Sequence, residues 1–222
     1  MTEPRLHVLD DPEAAVAEIL AAAARRGETI VLTGGHSVGR AYELAAELEP
    51  DWSNASVWWG DERCVSPDDQ RSNFLLAKRG LLDRLERQPE VHRIRGELEP
   101  EEAALAYDEA LEGVQLDLKL LGLGHDGHVA SLFPGSPQLA ERERRVTSGP
   151  AGLEPWVDRV TMTLPTLLSA RRLAFLITGA NKAEAVRRVF RDEVSEAAPG
   201  SLLRLGEAPI DAYLDRAAAS LL

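Results

Sequence analysis

From Val114 to Leu121 the chain carries leucine at positions 116, 118, 120 and 121, and then breaks into Gly122-Leu123-Gly124-His125-Asp126-Gly127-His128-Val129-Ala130-Ser131-Leu132-Phe133-Pro134-Gly135. A strand that is apolar on both faces needs cover on both sides, which is the environment of a buried strand in a parallel sheet. Its following loop then opens at the carboxyl edge of that sheet, where open α/β folds hold their ligands. The loop sets two histidines and an aspartate among glycines, where a backbone can come close to a bound molecule.

The rest of the chain fits the same architecture. Leu6 to Leu9 reads as a short strand, and Asp10 or Asp11 before Pro12 starts a helix that runs to about Arg26, with Gly27 as its stop. Thr29 to Thr33 is an apolar strand that enters Gly34-Gly35-His36-Ser37, and a helix follows from about Ser37 to Leu48. Val57 to Gly60 is a strand that delivers Asp61-Glu62-Arg63 into a loop, and a helix is expected from about Ser72 to Leu85. Glu101 to Leu111 is helical. The stretch Gly122 to Pro155 holds four prolines and six glycines, and reads as a long functional loop with room for one short helical turn. Val157 to Leu164 is a strand, Pro165 starts a short helix, Leu173 to Thr178 is a buried strand, and helices are expected over Asn181 to Arg191 and Pro209 to Ala219. Alternation of strands and helices predicts a mostly parallel sheet with helices on both faces, a doubly wound, Rossmann-like α/β fold in a single domain over residues 1–222.

Composition bounds the function. At 222 residues and 44% hydrophobic content the chain can bury one substantial core. With 37 acidic against 25 basic residues, its net charge of −12 argues against nucleic acid or anionic lipid as a partner. An anionic ligand must therefore be met by a local cluster of Arg, Lys and backbone N–H groups. One cysteine, Cys64, allows no internal disulfide, the N-terminus lacks a signal-peptide pattern, and no apolar run reaches membrane-span length, so a cytoplasmic setting is expected.

Several motifs compete. Gly122 to Gly127 satisfies G-x-G-x-x-G after a strand, but a dinucleotide site needs the third glycine inside a helix, and Pro134, Gly135 and Pro137 break any helix here. Gly35-His36-Ser37-Val38-Gly39 matches a nucleophile elbow, which would make Ser37 the nucleophile of a serine esterase, yet that fold places several strands before its elbow. Thr33 to Ser37 otherwise reads as an anion cradle built from Gly34, Gly35 and Ser37, or as a plain glycine turn with Ser37 as helix N-cap. In Asp61-Glu62-Arg63, with Asn73 nearby, an arginine fixed by neighbouring carboxylates offers planar donors to a phosphate, a carboxylate or an oxyanion. Lys182 begins a helix, where a cation opposes the helix dipole and calls for an anion. Arg159 interrupts an apolar strand as an edge charge or a ligand contact. His125, Asp126 and His128 lack the distant His or Cys that would complete a zinc site, so no metal is expected. Cys64 beside Arg63 is a candidate for a lowered thiol pKa.

Five segments in order carry a resemblance: Thr33-Gly34-Gly35-His36-Ser37, Trp59 to Val65 with Ser72-Asn73, Gly122 to Pro134, Arg159 to Pro165, and Thr178 to Ala183. Together they resemble the glucosamine-6-phosphate isomerase/6-phosphogluconolactonase family, on its lactonase side. The resemblance implies a hydrolase of the δ-lactone of 6-phosphogluconate, working without metal or organic cofactor, as a monomer or small homo-oligomer. It implies His128 as general base with Asp126 in support. It also implies Gly34, Gly35, Ser37, Arg159 and Lys182 at the phosphate, Asp61 and Arg63 at the sugar or oxyanion, and Asn73 as a supporting residue.

The family's loop usually reads G-G-S-T-P, where this chain has Gly34-Gly35-His36-Ser37-Val38. The sister activity, isomerisation with deamination of glucosamine 6-phosphate, is the nearest alternative. Its enzymes typically carry D-E-Y and a carboxylate in a pattern like G-H-I-A-F-N-E, whereas this chain has Asp61-Glu62-Arg63 and Ser131-Leu132-Phe133. A non-catalytic sugar-phosphate sensor is the remaining alternative.

Overall fold

The computed structural model describes residues 2–35 and 37–222; His36 of the glycine loop lies outside the described residues. In chain order the elements are β1 (Arg5–Val8), α1 (Pro12–Arg25), β2 (Thr29–Leu32), α2 (Val38–Leu48), β3 (Ser56–Trp59), β4 (Asp61–Arg63), α3 (Asn73–Gly80), β5 (Glu90–His92), α4 (Pro100–Ala110), β6 (Leu118–Leu121), β7 (Val146–Gly149), β8 (Arg159–Met162), α5 (Leu164–Leu168), β9 (Arg172–Ile177), α6 (Ala183–Phe190) and β10 (Ile210–Leu214). Seven strands form one sheet in the order β1-β10-β9-β6-β2-β3-β5, and every pairing in it is parallel.

From β2 the chain steps outward through β3 to β5, while from β6 it steps the other way through β9 to β10. Right-handed crossovers therefore place α1, α2 and α3 on one face and the later helices on the other. In agreement, α1 packs on α2 and α2 on α3, while α4 packs against β7 and β8. β2 and β6 are neighbours, with Ile30 beside Leu118 and Val31 beside Lys119. The direction of winding reverses between them, so the crevice beyond their carboxyl ends is the topological switch point at which such sheets bind ligands.

A second sheet, β4-β8-β7, is antiparallel. It was not expected. Asp61-Glu62-Arg63 is a strand rather than the start of a loop, and β7 forms inside the proline- and glycine-rich segment. Gly60 joins the two sheets: its N–H donates to Leu32 O at 3.1 Å and its carbonyl accepts from Met162 N at 2.8 Å. β8 is the centre of the small sheet, so Arg159 is not an edge charge; it is buried.

The C-terminal expectation fails. Residues 209–219, read as a helix from their alanines, contain β10, inserted between β1 and β9. Ile210, Ala212 and Leu214 are buried while Asp211 and Tyr213 are half-buried, a period of two rather than 3.6. Asp211 accepts from Arg5 Nη2 at 2.5 Å and bonds His7 Nε2 at 2.7 Å, and the His7 and Tyr213 rings stack at 4.8 Å. These cross-strand pairs fix the register of β1 on β10. β5, the edge strand paired with β3, was likewise not expected. Other differences are of extent: the expected helix over 72–85 divides into α3 and a 3-10 turn at Leu82–Arg84, and β6 covers only the second half of the apolar run. No helix among the described residues is long and apolar enough to cross a membrane.

Candidate active site

A cleft of about 760 Å³ opens at the switch point, and its wall is built from loops that leave different strands. Gly34, Gly35 and Ser37 follow β2, His128 follows β6, Asp61 and Arg63 come from β4, Arg159 from β8, and Lys182 follows β9; all line it, as does Asn73. Asp126 stands behind His128.

The loop after β6 makes no helix, which removes the dinucleotide reading. Gly127, at φ +91°, turns it so that His128 and Asp126 meet. Asp126 Oδ1 bonds His128 Nδ1 at 2.6 Å and accepts the His128 backbone N–H at 3.1 Å. Burial pushes the Asp126 carboxyl up, but the hydrogen bonds and charge of His128 outweigh it and hold the carboxyl at about 2. With Nδ1 committed to that carboxylate, Nε2 is the nitrogen left for chemistry. Gly124 lies against the dyad: a Cβ there would fall 2.6 Å from Asp126 Oδ1 and closer still to the imidazole. His125 is exposed and does not line the cleft, and the described residues hold no group of three or more His, Cys, Asp or Glu placed for a metal.

The cations are arranged differently from expectation. Among the described residues no carboxylate fixes Arg63. Its Nη1 donates to the Arg71 carbonyl, and the register sets it directly opposite Arg159 across β4 and β8. Arg159 donates from Nη2 to Pro155 O at 2.9 Å and to Leu153 O at 3.4 Å, and its Nη1 is buried without a partner. Burial, and then the charge of Arg63, push the Arg159 guanidinium down. Lys182 is also pushed down by burial, with Asp126 pulling the other way. Among the described residues no carboxylate lies within ion-pair distance of Arg63, Arg159 or Lys182. Like charges directly opposite on a sheet are unfavourable. Three unpaired cations around one cleft, in a chain of net charge −12, mark a place for an anion.

The two carboxylates next to Arg63 have other work. Glu62 accepts from the backbone N–H groups of Arg63, Asn73 and Phe74 at 2.7, 2.7 and 2.8 Å, and from Ser72 Oγ at 2.9 Å. Burial pushes its carboxyl up despite these donors. It pins the start of α3, where Ser72 is the N-cap and accepts from Leu75 N. Asp61 takes Ser131 Oγ on Oδ2 at 2.7 Å and Asn73 Nδ2 on Oδ1 at 3.2 Å. The sequence offers Glu62 only as a neighbour that would fix Arg63 and Ser131 only as part of a segment without a carboxylate; the spacing of Glu62 ahead of Ser72-Asn73 is the one signal of its actual work. Cys64 corrects another expectation: burial, then the charge of Asp158, push its thiol up to about 11 rather than down.

Ser37 precedes α2 but makes no side-chain capping bond; its Oγ lies 2.5 Å from Thr178 Oγ1. Among the described residues its hydroxyl partner is thus another hydroxyl and not an imidazole, the base that an esterase nucleophile needs. Gly34 and Gly35 serve for separate reasons. A Cβ on Gly34 would strike Asn73, whereas Gly35 has open space but φ +113°.

Residues 8–210 match the model of the family described as glucosamine-6-phosphate isomerases/6-phosphogluconolactonase. A 6-phosphogluconolactonase of Synechocystis sp. is 37% identical over 187 residues, covering 79% of this chain and 77% of that protein. Among solved structures, the 6-phosphogluconolactonase of Trypanosoma brucei superposes with a TM-score of 0.86 at 27% identity over the whole of both chains. A monomeric glucosamine-6-phosphate deaminase superposes with a TM-score of 0.87 at 22% identity, again over both whole chains, which is a likeness of fold.

Proposed function

The chain belongs to the glucosamine-6-phosphate isomerase/6-phosphogluconolactonase family, and we propose that it hydrolyses 6-phospho-D-glucono-1,5-lactone to 6-phosphogluconate, the lactonase step of the oxidative pentose phosphate pathway. The observation that carries the reading is the His128–Asp126 dyad facing the same cleft as three cations without carboxylate partners. The substrate matches this in kind: a phosphate to be held and a carbonyl to be attacked.

In this mechanism Asp126 keeps the proton of the neutral imidazole on Nδ1, and Nε2 takes a proton from water as the water oxygen attacks the lactone carbonyl. Arg63 stabilises the oxyanion, with Asp61 oriented toward the sugar by Ser131 and Asn73. The imidazolium then gives its proton to the departing ring oxygen. Gly34, Gly35, Ser37, Arg159 and Lys182 hold the phosphate and so set the carbonyl against the water. The reaction needs neither metal nor organic cofactor, and the proposed setting is the cytoplasm, with one domain over residues 1–222 acting alone or in a small homo-oligomer.

Two local features weigh against the deaminase chemistry of the sister branch. The segment after His128 reads Ser131-Leu132-Phe133 and offers no carboxylate, with Ser131 already donating to Asp61. Arg63 stands where that branch has tyrosine. The test follows the consumption of freshly generated lactone against its spontaneous hydrolysis. His128→Ala should lose about 10² to 10⁴ in kcat, while Ser37→Ala should retain turnover with a raised KM. Full activity in His128→Ala would refute the mechanism, and a trapped acyl group on Ser37 would replace it with an esterase.

A further inference from the structure

His128 is held on more sides than its bond to Asp126 requires. A single hydrogen bond at Nδ1 leaves an imidazole free to swing about its side-chain torsions. Here the Gly124 backbone closes one side, as the clash of a Cβ at that position shows. On another side lies Phe133, buried, with its ring centroid 4.5 Å from that of His128 at an interplanar angle of 52°. The chain brings Phe133 back by a tight reversal. Leu132 N donates to Val129 O at 3.0 Å, and between them Ala130 takes φ +48°, the one positive value at a non-glycine among the described residues. Backbone strain of that kind persists where the surroundings fix it and is concentrated at functional sites.

Behind Phe133 runs the loop that leads to β8. It passes so close at Gly152 that a Cβ there would fall 2.7 Å from Phe133 Cβ and 2.8 Å from Cδ1, and nearer still to Cγ. One to three residues further on, the same loop lines the cleft and is fastened by Arg159 through the carbonyls of Leu153 and Pro155. Arg159 and His128, which share no direct bond, are thus joined through one loop and one ring.

We propose that Phe133 is a positioning residue for His128, held against the imidazole by the loop that crosses it at Gly152. The proposal rests on His128 being the base of the lactonase reaction. Phe133 also lines the cleft but has no group that could transfer a proton; it restricts the ring to the orientation in which Nε2 faces the cleft, and Gly152 is the only size of residue that lets the loop press it there. Displacing a base by an ångström costs far more in rate than in binding, so the effect belongs in kcat.

The test compares wild type with Phe133→Leu, Gly152→Ala and the double variant, each shown folded by thermal melting. Phe133→Leu should lower kcat about tenfold while KM changes less than about twofold. Gly152→Ala should move kcat the same way, and the double variant should be no worse than the poorer single, because the leucine leaves room for the alanine. Loss of the adjacent aromatic ring should also shift the His128 imidazole NMR signals. A folded Phe133→Leu with wild-type kcat and unmoved His128 signals overturns the proposal, as does additivity of the two substitutions. If wild type fails to accelerate lactone hydrolysis, the lactonase reading falls by itself. The imidazole signals then decide the positioning claim alone, a shift sustaining it and no shift removing it.

Discussion

Gly34→Ala tests how the cleft is built. A Cβ at Gly34 would lie 2.5 Å from Asn73 Cγ and 3.0 Å from Nδ2, closer than real Cβ contacts, so Asn73 must move. Asn73 has little freedom to do so. It is buried, it begins α3, and its backbone N–H is held by Glu62 at 2.7 Å. Its Nδ2 donates to Asp61 O at 2.9 Å and to Asp61 Oδ1 at 3.2 Å, and displacement breaks both. A buried polar group left unpaired costs about 1–3 kcal/mol, so the alanine should destabilise by about 2–4 kcal/mol, a large share of a domain's net stability. Asp61 would lose one of its side-chain donors, and kcat should fall with stability.

Urea unfolding and lactonase kinetics on wild type and four variants separate this from a generic glycine effect. Gly35→Ala should cost about 1–3 kcal/mol from backbone strain alone, because φ is +113° and nothing lies within 4 Å of its Cβ. Asn73→Ala alone removes the same bonds. Added to Gly34→Ala it should cost little more, or restore stability by making room, giving a coupling of about 1–3 kcal/mol between the sites. If Gly34→Ala lies within about 0.5 kcal/mol of wild type, or the two substitutions add, the packing argument is wrong.

Three further outcomes are expected. Lys119, fully buried on β6, donates to the Thr166 carbonyl, and burial holds its pKa well below the usual lysine value. The unfolded chain therefore binds more protons over the interval from that depressed pKa up to about 10.4, wild-type stability rises with pH across it, and Lys119→Met should abolish the rise and be more stable at pH 7 by about 1–3 kcal/mol; a less stable methionine variant in urea melts would contradict this. Asp126 has its carboxyl depressed from 3.8 to about 2, so its contribution is complete above pH 4 and lost as pH falls through about 2; Asp126→Asn should narrow its stability deficit on acidification and lose about 10² in kcat through the wrong imidazole tautomer. Arg63→Gln should lower kcat by about 10² with little change in KM, and a change confined to KM would reassign Arg63 to ground-state binding.

The large sheet was legible because its central strands are continuous apolar runs that end in glycine, and each such end carried a recognisable loop. β4, β5, β7 and β10 were not. Asp61-Glu62-Arg63 and Glu90–His92 are too short and too charged to show a period, Val146–Gly149 sits among turn residues, and Ala212 with the alanines at 217–219 mimics a helix while the burial of Ile210, Ala212 and Leu214 follows a strand. The site residues were legible one by one, but their partnerships were not. A sequence shows Arg63 next to two carboxylates; only the alternation of side chains on a strand and the insertion of Asp61 toward Ser131, seventy residues on, show that neither carboxylate serves it.

A backbone that superposes equally on a lactonase and on a deaminase is silent about chemistry, so the choice must rest on what surrounds His128. Counted along the pattern G-H-I-A-F-N-E, the sister branch's carboxylate falls on Phe133 in this chain. A second carboxylate beside an imidazole already bonded to Asp126 would favour the protonated ring, which can give a proton to an amino-sugar ring oxygen but cannot take one from water. The Phe133 ring supplies packing without charge. It leaves Asp126 as the carboxylate bonded to Nδ1, which sets the tautomer and turns Nε2 to the cleft. Arg63, a cation in place of the sister branch's tyrosine, is proposed to meet the oxyanion that lactone hydrolysis develops on the carbonyl oxygen. On the proposed reading, then, the Phe133 ring beside the base and the Arg63 cation at the carbonyl under attack serve the same hydrolytic reaction.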